Sequence, residues 1–164
     1  MKEYSDACPI RFPAGLRKKC VPDCLRNGFG NTVMFYAALC PETGDLCSLI
    51  LPYSNTDCMQ IFLEEFARQR AGKPTLLIMD QAAWHKSSVL QKYPDILITY
   101  QPPYSPELNP VEHLWKHLRT TFTHNWFWSS LDKLEDRLCE VLFQLSKNPQ
   151  TIKSFSLFDW MICV

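Results

Sequence analysis

Two carboxylates stand where this sequence can do chemistry. Asp80 closes the apolar run Thr75–Met79, T-L-L-I-M, and a carboxylate at the end of a buried strand sits where open α/β sheets place their sites. By position alone it serves equally well as a cap for the turn that follows, A-A-W-H-K-S. Glu112 follows Asn109 and Pro110, which read as an N-cap and a first helical residue, so it falls at the third position of a helix. Two structural roles are open to it there. It can reach back to the cap N–H as a capping-box acid, or pair with Lys116 one turn on. As a pair the two acids say more. A strand-end Asp and a first-turn Glu, separated by one strand and a Pro-rich loop, can converge on one pocket. Converging carboxylates are the hard oxygen ligands that Mg²⁺ takes together with substrate phosphate. Two such ions about 4 Å apart stabilise the attacking and leaving oxygens of a phosphoryl displacement.

The other reactive side chains are weaker signals. His85, close after Asp80, either lies near the metal and scissile phosphate or is a helix cap or surface residue. His113, His117 and His124 are expected on the solvated sides of their helix. The H-x-x-x-H of His113 and His117 has zinc spacing but lacks the inner Glu of H-E-x-x-H. The eight Cys are scattered, and Cys20-x-x-x-Cys24 has neither a second half nor a nearby His. They read as reduced thiols that pack, not as a zinc site.

The elements that must position these groups follow from periodicity. Residues 1–30 carry Pro9, Pro13, Gly15, Pro22, Gly28 and Gly30 and read as irregular, with one short strand near 17–21. Thr32–Cys40 and Leu46–Leu51 are apolar runs around the turn P-E-T-G-D, a β-hairpin. Ser54, Asn55 or Thr56 caps a helix whose stripe is Met59, Phe62, Leu63 and Phe66, ending near Gly72–Pro74. Thr75–Met79 is then a central strand covered on both faces. A short helix near 87–92 and a strand at Ile96–Tyr100 follow. After the loop Q-P-P-Y-S-P-E-L-N comes a helix with the stripe Val111, Leu114, Trp115, Leu118 and Phe122. A last helix starts at Ser129 or Ser130 and turns Leu131, Leu134, Leu138, Leu142 and Leu145 inward. The order gives a mixed α/β sheet with helical cover, residues 31–164 forming the folded domain behind an irregular basic segment, 1–30.

Composition bounds the function classes. The chain has 164 residues, 46% hydrophobic and 21% charged, which fits one ordinary globular domain. Lys+Arg and Asp+Glu balance at 17 each, which excludes a generally basic nucleic-acid coat but not a local patch. Lys2, Arg11, Arg17, Lys18, Lys19 and Arg26 outnumber the acids before Asn31, so the front segment is a candidate phosphate contact or simply a solvated loop. No stretch is long and apolar enough for a membrane helix, and M-K-E-Y-S-D lacks a signal-peptide core. The chain reads as cytoplasmic. Trp126 and Trp128 are surface candidates for base stacking, though packing under the last helix suits them equally.

The strings L-L-I-M-D-Q-A-A-W-H-K-S and Q-P-P-Y-S-P-E-L-N-P-V-E-H-L-W resemble the catalytic half of Asp-Asp-Glu (DDE) transposases, in the bacterial insertion-sequence branch of the mariner superfamily. The likeness continues through A-A-L-C-P-E-T-G-D-L, L-P-Y-S-N-T and, more faintly, S-L-F-D-W. It implies an RNase H-like, retroviral-integrase-like mixed sheet flanked by helices, and DNA strand cleavage and joining with Mg²⁺ or Mn²⁺. It places the family's second acid at Asp80 and third at Glu112. His85 and Asn109 become candidates to support these ligands, and Arg17, Lys18, Lys19 and Lys86 candidates to contact DNA. Implied partners are transposon ends and target DNA, with homo-oligomers in the complete family. Gln81 stands where Asn or Gly is usual. The family's first acid has no counterpart, since Asp6 matches a loop after the first strand. The expectation is therefore a catalytic domain lacking its first strand and the preceding DNA-binding region, inactive alone or completed by a transposase subunit. Asp6 or Asp45 is a candidate substitute for the first acid, on condition that its carboxyl lies within about 5–8 Å of Asp80. The competing expectation is a non-catalytic remnant that binds DNA or a transposase subunit.

Overall fold

A computed structural model describes residues 34–82, 92–123 and 131–161. Strands β1 (Met34–Leu39) and β2 (Leu46–Leu51) are hydrogen-bonded neighbours in one two-stranded sheet. The turn between them is closed by the Cys40 N–H donating to Asp45 O at 2.9 Å and the Gly44 N–H donating to Cys40 O at 2.8 Å. Helix α1 (Thr56–Arg70) starts at Asn55, whose Oδ1 accepts the Cys58 N–H at 2.8 Å. It ends where Ala71 and Gly72 both adopt left-handed backbone. Strands β3 (Thr75–Met79) and β4 (Ile96–Tyr100) form a second, parallel sheet, with Thr75 opposite Ile96 and Met79 opposite Tyr100. A 3₁₀ turn, Pro106–Leu108, leads into α2 (Pro110–Leu118), which continues as a π turn over Arg119–Thr123. Helices α3 (Leu131–Ser146) and α4 (Pro149–Ser156) and a 3₁₀ turn at Asp159–Met161 complete the order.

The described residues fall into two compact units. The strand unit comprises 34–36 and 49–105. Its core is Tyr36, Leu49, Ile50, Leu51, Met59, Phe62, Leu63, Phe66, Leu77 and Met79. The whole predicted stripe of α1 is buried. Tyr36 anchors the strand unit's end of β1: its hydroxyl donates to Tyr53 O at 2.9 Å and its ring lies 5.8 Å from that of Phe62. Burial raises the Tyr36 pKa, with the Cys58 thiol beside it a smaller cause. Glu65, only 1% exposed, is held by the Arg68 guanidinium, whose Nε donates to it at 2.8 Å, and by Gln69 at 2.8 Å. Removing one partner of such a pair leaves a buried charge under-solvated. Arg68→Ala is expected to cost about 2 kcal/mol, less than a fully buried pair because Arg68 is half exposed and Gln69 remains. Urea unfolding of the variant checks this.

The helical unit comprises 37–48 and 106–161, with Leu114, Leu118, Leu138, Val141, Leu142, Leu145 and Ile152 as its core. Helix α2 packs against α4, and α3 against α4. α4 is absent from the sequence expectation, although Asn148–Pro149 begins it as Asn109–Pro110 begins α2.

Two expectations need correction. β3 is covered on one face only: Leu77 and Met79 are buried, while Leu76 and Ile78 are 58% and 60% exposed. An unbroken apolar run does not say how many faces are covered, and here alternation decides burial. The second concerns the histidines, described with their site below. The predicted short helix near 87–92 lies largely outside the described residues. No described helix is long and apolar enough to cross a membrane.

Candidate active site

Asp80 follows the last residue of β3, exposed to solvent in the strand unit. Its Oδ1 accepts the Ala82 N–H at 3.0 Å, so the turn-capping role weighed from sequence is real. That bond fixes the side chain at the strand end. The surrounding backbone is clamped. The Gln101 N–H donates to Met79 O at 2.9 Å, and Gln81 Nε2 donates to Gln101 O at 3.1 Å. Gln81 therefore ties the Asp80 turn to the stem of the Pro-rich loop.

Glu112 lies in the first turn of α2, half buried, in the helical unit. The cap is Asn109, whose Oδ1 accepts the Val111 N–H at 3.1 Å. The capping-box role open to Glu112 is not used. The Asn109 N–H that it would satisfy already donates to Pro106 O at 3.0 Å through the 3₁₀ turn. Among the described residues the Glu112 carboxylate makes no hydrogen bond or ion pair. An acid spared by its own helix end is available for a ligand. The proposed supporting residue Asn109 is committed to the cap itself.

On the face that Glu112 shares, sequence reasoning weighed Lys116 only as an ion-pair partner and passed over Arg119. Lys116 and Arg119, one and two turns on, are exposed, while Leu114 and Leu118 on the opposite side are buried. The spacing of Glu112, Lys116 and Arg119 at i, i+4 and i+7 is the signal that finds them.

His113 and His117 are half-buried against aromatic rings, not on the solvated side of their helix. His113 Nδ1 lies 2.8 Å from Phe155 O, and its ring meets Phe158 edge-on at 4.7 Å. Since a carbonyl only accepts, Nδ1 carries the proton. His117 stacks on Phe155 at 4.9 Å and meets Phe122 at 5.7 Å. The two rings are the polar half of an aromatic seam between α2, its π turn and the C-terminal elements. Burial pushes the His117 pKa below its usual 6.5. The folded state thus favours the neutral imidazole. Stability from this packing is complete above about pH 6.5 and is lost as pH falls below it, because the unfolded chain takes up the proton first. His117→Phe is expected to flatten the fall in melting temperature between pH 7 and pH 5, read by circular dichroism.

Asp45 lies exposed in the hairpin turn of the helical unit, where its N–H donates to Thr43 Oγ1 at 3.2 Å. Asp6, Arg17, Lys18, Lys19, His85, Lys86 and the front segment lie outside the described residues, as do His124, Trp126 and Trp128. Among the described residues no cluster of three or more His, Cys, Asp or Glu is arranged to hold a metal ion. Asp80 and Glu112 fit Mg²⁺ by donor type, which binds through one or two carboxylates with phosphate and water completing the shell. Cys40, Cys47, Cys58 and Cys139 are in the reduced, thiol form. Burial raises the Cys58 pKa, the opposite of an activated thiolate.

The model of the DDE superfamily endonucleases matches residues 6–135, a span that includes both acids. The chain belongs to this family. It is 36% identical over 126 residues to the uncharacterized protein y4pE/y4sA of Sinorhizobium fredii, covering 76% of this chain and 93% of that protein. It is 37% identical over 87 residues to the insertion element IS630 uncharacterized 39 kDa protein of Shigella sonnei, covering 51% of this chain and 25% of that protein. No solved structure matches it. The DDE endonuclease family accounts for the resemblance carried by the Asp80 and Glu112 strings, and the small sheets and helices of the fold are compatible with it.

Proposed function

We propose that this chain is the catalytic domain of an insertion-sequence transposase, acting on DNA, that residues 31–164 form an RNase H-like domain, and that Asp80 and Glu112 are its metal-holding acids. Alone, the polypeptide holds Mg²⁺ or Mn²⁺ weakly and does not transpose. The observation that carries the reading is the state of Glu112: a helix-start acid in a DDE endonuclease chain, with its capping duty taken over by the Pro106 carbonyl. Asp80 supports it from a strand end clamped to the loop that leads to that helix.

The bound ion supplies Lewis acidity at the phosphodiester and lowers the pKa of an attacking water. The chain's own residues do the rest. Asp80 and Glu112 hold the ion. The Ala82 amide fixes Asp80, and the 3₁₀ turn with Asn109 sets where Glu112 leaves the loop. Lys116 and Arg119, on the Glu112 side of α2, neutralise neighbouring DNA phosphates. Partners under this reading are transposon ends, target DNA and a transposase subunit that completes the acid set, met in the cytoplasm.

One observation favours the second reading, a non-catalytic module: among the described residues no group of three or more His, Cys, Asp or Glu is placed to hold a metal ion. Supercoiled plasmid nicking by the purified chain with Mn²⁺, alongside Mn²⁺ titration by electron paramagnetic resonance, separates the two. Weak Mn²⁺ binding lost in Asp80→Asn, without nicking, is the expected result. Nicking that disappears in Asp80→Asn overturns the claim of inactivity. Mn²⁺ binding indifferent to both acids overturns the metal site.

A further inference from the structure

We infer that Tyr104 is a nucleobase-stacking residue that takes an unstacked base of a DNA strand lying at the Asp80 rim. The inference rests on the proposed action on DNA. Tyr104 is 100% exposed, so both faces of its ring are open. Its backbone φ is +58°, in the left-handed region that L side chains other than Asn and Asp seldom adopt. An apolar ring turned wholly into water, on a backbone that disfavours it, contributes nothing to folding on either count. Strain of this kind, kept without a packing reason, points to a ligand.

The loop holds that ring in place. Pro102, Pro103 and Pro106 fix φ on both sides, and the Ser105 hydroxyl donates to Pro103 O at 3.3 Å. Gln101, the loop stem, is bonded to Met79 O and Gln81 beside Asp80. Three residues span at most about 11 Å, so Tyr104 stays within about three or four nucleotides of a phosphate at Asp80, at ~3.4 Å per nucleotide. A ring with two open faces is the geometry of a stacking platform.

The test uses the full chain and short duplexes that end either blunt or in a four-nucleotide single-stranded overhang carrying 2-aminopurine. Binding is read by anisotropy and stacking by quenching of the 2-aminopurine. Tyr104→Gly removes the ring and also the backbone strain, so it folds at least as well as the wild type, and melting temperature verifies this. Tyr104→Phe keeps the stacking face. The expected result is that Tyr104→Gly weakens overhang binding by about 5- to 150-fold and abolishes quenching. Tyr104→Phe stays close to wild type, and blunt-duplex binding is unchanged in both. Equal overhang affinity and equal quenching in Tyr104→Gly overturn the assignment while leaving DNA binding standing. A changed oligomeric state with unchanged DNA binding assigns the ring to a protein contact and overturns it too. A wild-type chain that binds neither duplex overturns the action on DNA and this inference with it.

Discussion

Asp80→Asn and Glu112→Gln are each expected to weaken Mn²⁺ binding more than about tenfold while leaving the fold intact. The expectation follows from what each side chain does apart from its charge. Asn at position 80 still offers an Oδ1 to the Ala82 N–H, so the turn after β3 survives. Gln at 112 disturbs no hydrogen bond, since the cap is made by Asn109 and Pro106. At position 112 the change therefore deletes a hard anionic ligand and little else, and at position 80 it deletes the charge while keeping the turn bond. Even partners that merely orient ligands are worth 10–100-fold in affinity, so loss of a ligand itself sits at or above that range. Asp80→Ala is the contrasting control: it removes both the charge and the turn bond, and should lower melting temperature as well. Thermal melts with and without Mn²⁺ check both halves. A melting loss in Glu112→Gln equal to that in Asp80→Ala would mean that Glu112 is structural.

Gly44→Ala is expected to destabilise the helical unit by about 3–5 kcal/mol. Gly44 has φ +76°, and a Cβ there would overlap the backbone carbonyl of Pro149 and lie 2.8 Å from its Cα. Strain in the left-handed region contributes about 1–3 kcal/mol, and overpacking against backbone, which cannot rotate away, about as much again. The turn P-E-T-G-D and the first residue of α4 must therefore move apart together. Chemical denaturation of the variant checks the magnitude. A change below about 1 kcal/mol would mean that the turn and α4 do not hold one another.

Much of the strand unit was legible because its signals are local. The stripe of α1, its Asn55 cap and the bounds of β3 and β4 each follow from residues within one element. The DDE family was legible for a different reason: the strings around Asp80 and Glu112 are long and specific. What escaped depends on partners far along the chain. His113 and His117 read as solvated polar residues because their aromatic neighbours, Phe155 and Phe158, arrive from another element. The open face of β3 escaped because burial on the second face is set by what packs there, not by Leu76 or Ile78. The idle capping position at Glu112 was invisible because the Pro106 carbonyl that displaces it belongs to a 3₁₀ turn with no periodic signature. α4 was legible in principle, since Asn148–Pro149 repeats the start of α2, but its short apolar set begins directly after α3.

The clamp between Gln101, Met79 and Gln81 also bears on the thermodynamics of association. With its stem bonded to the strand end and prolines along its length, the Pro-rich loop loses its conformational freedom when the chain folds. A ligand arriving there has no loop to freeze, so more of the contact energy appears as affinity.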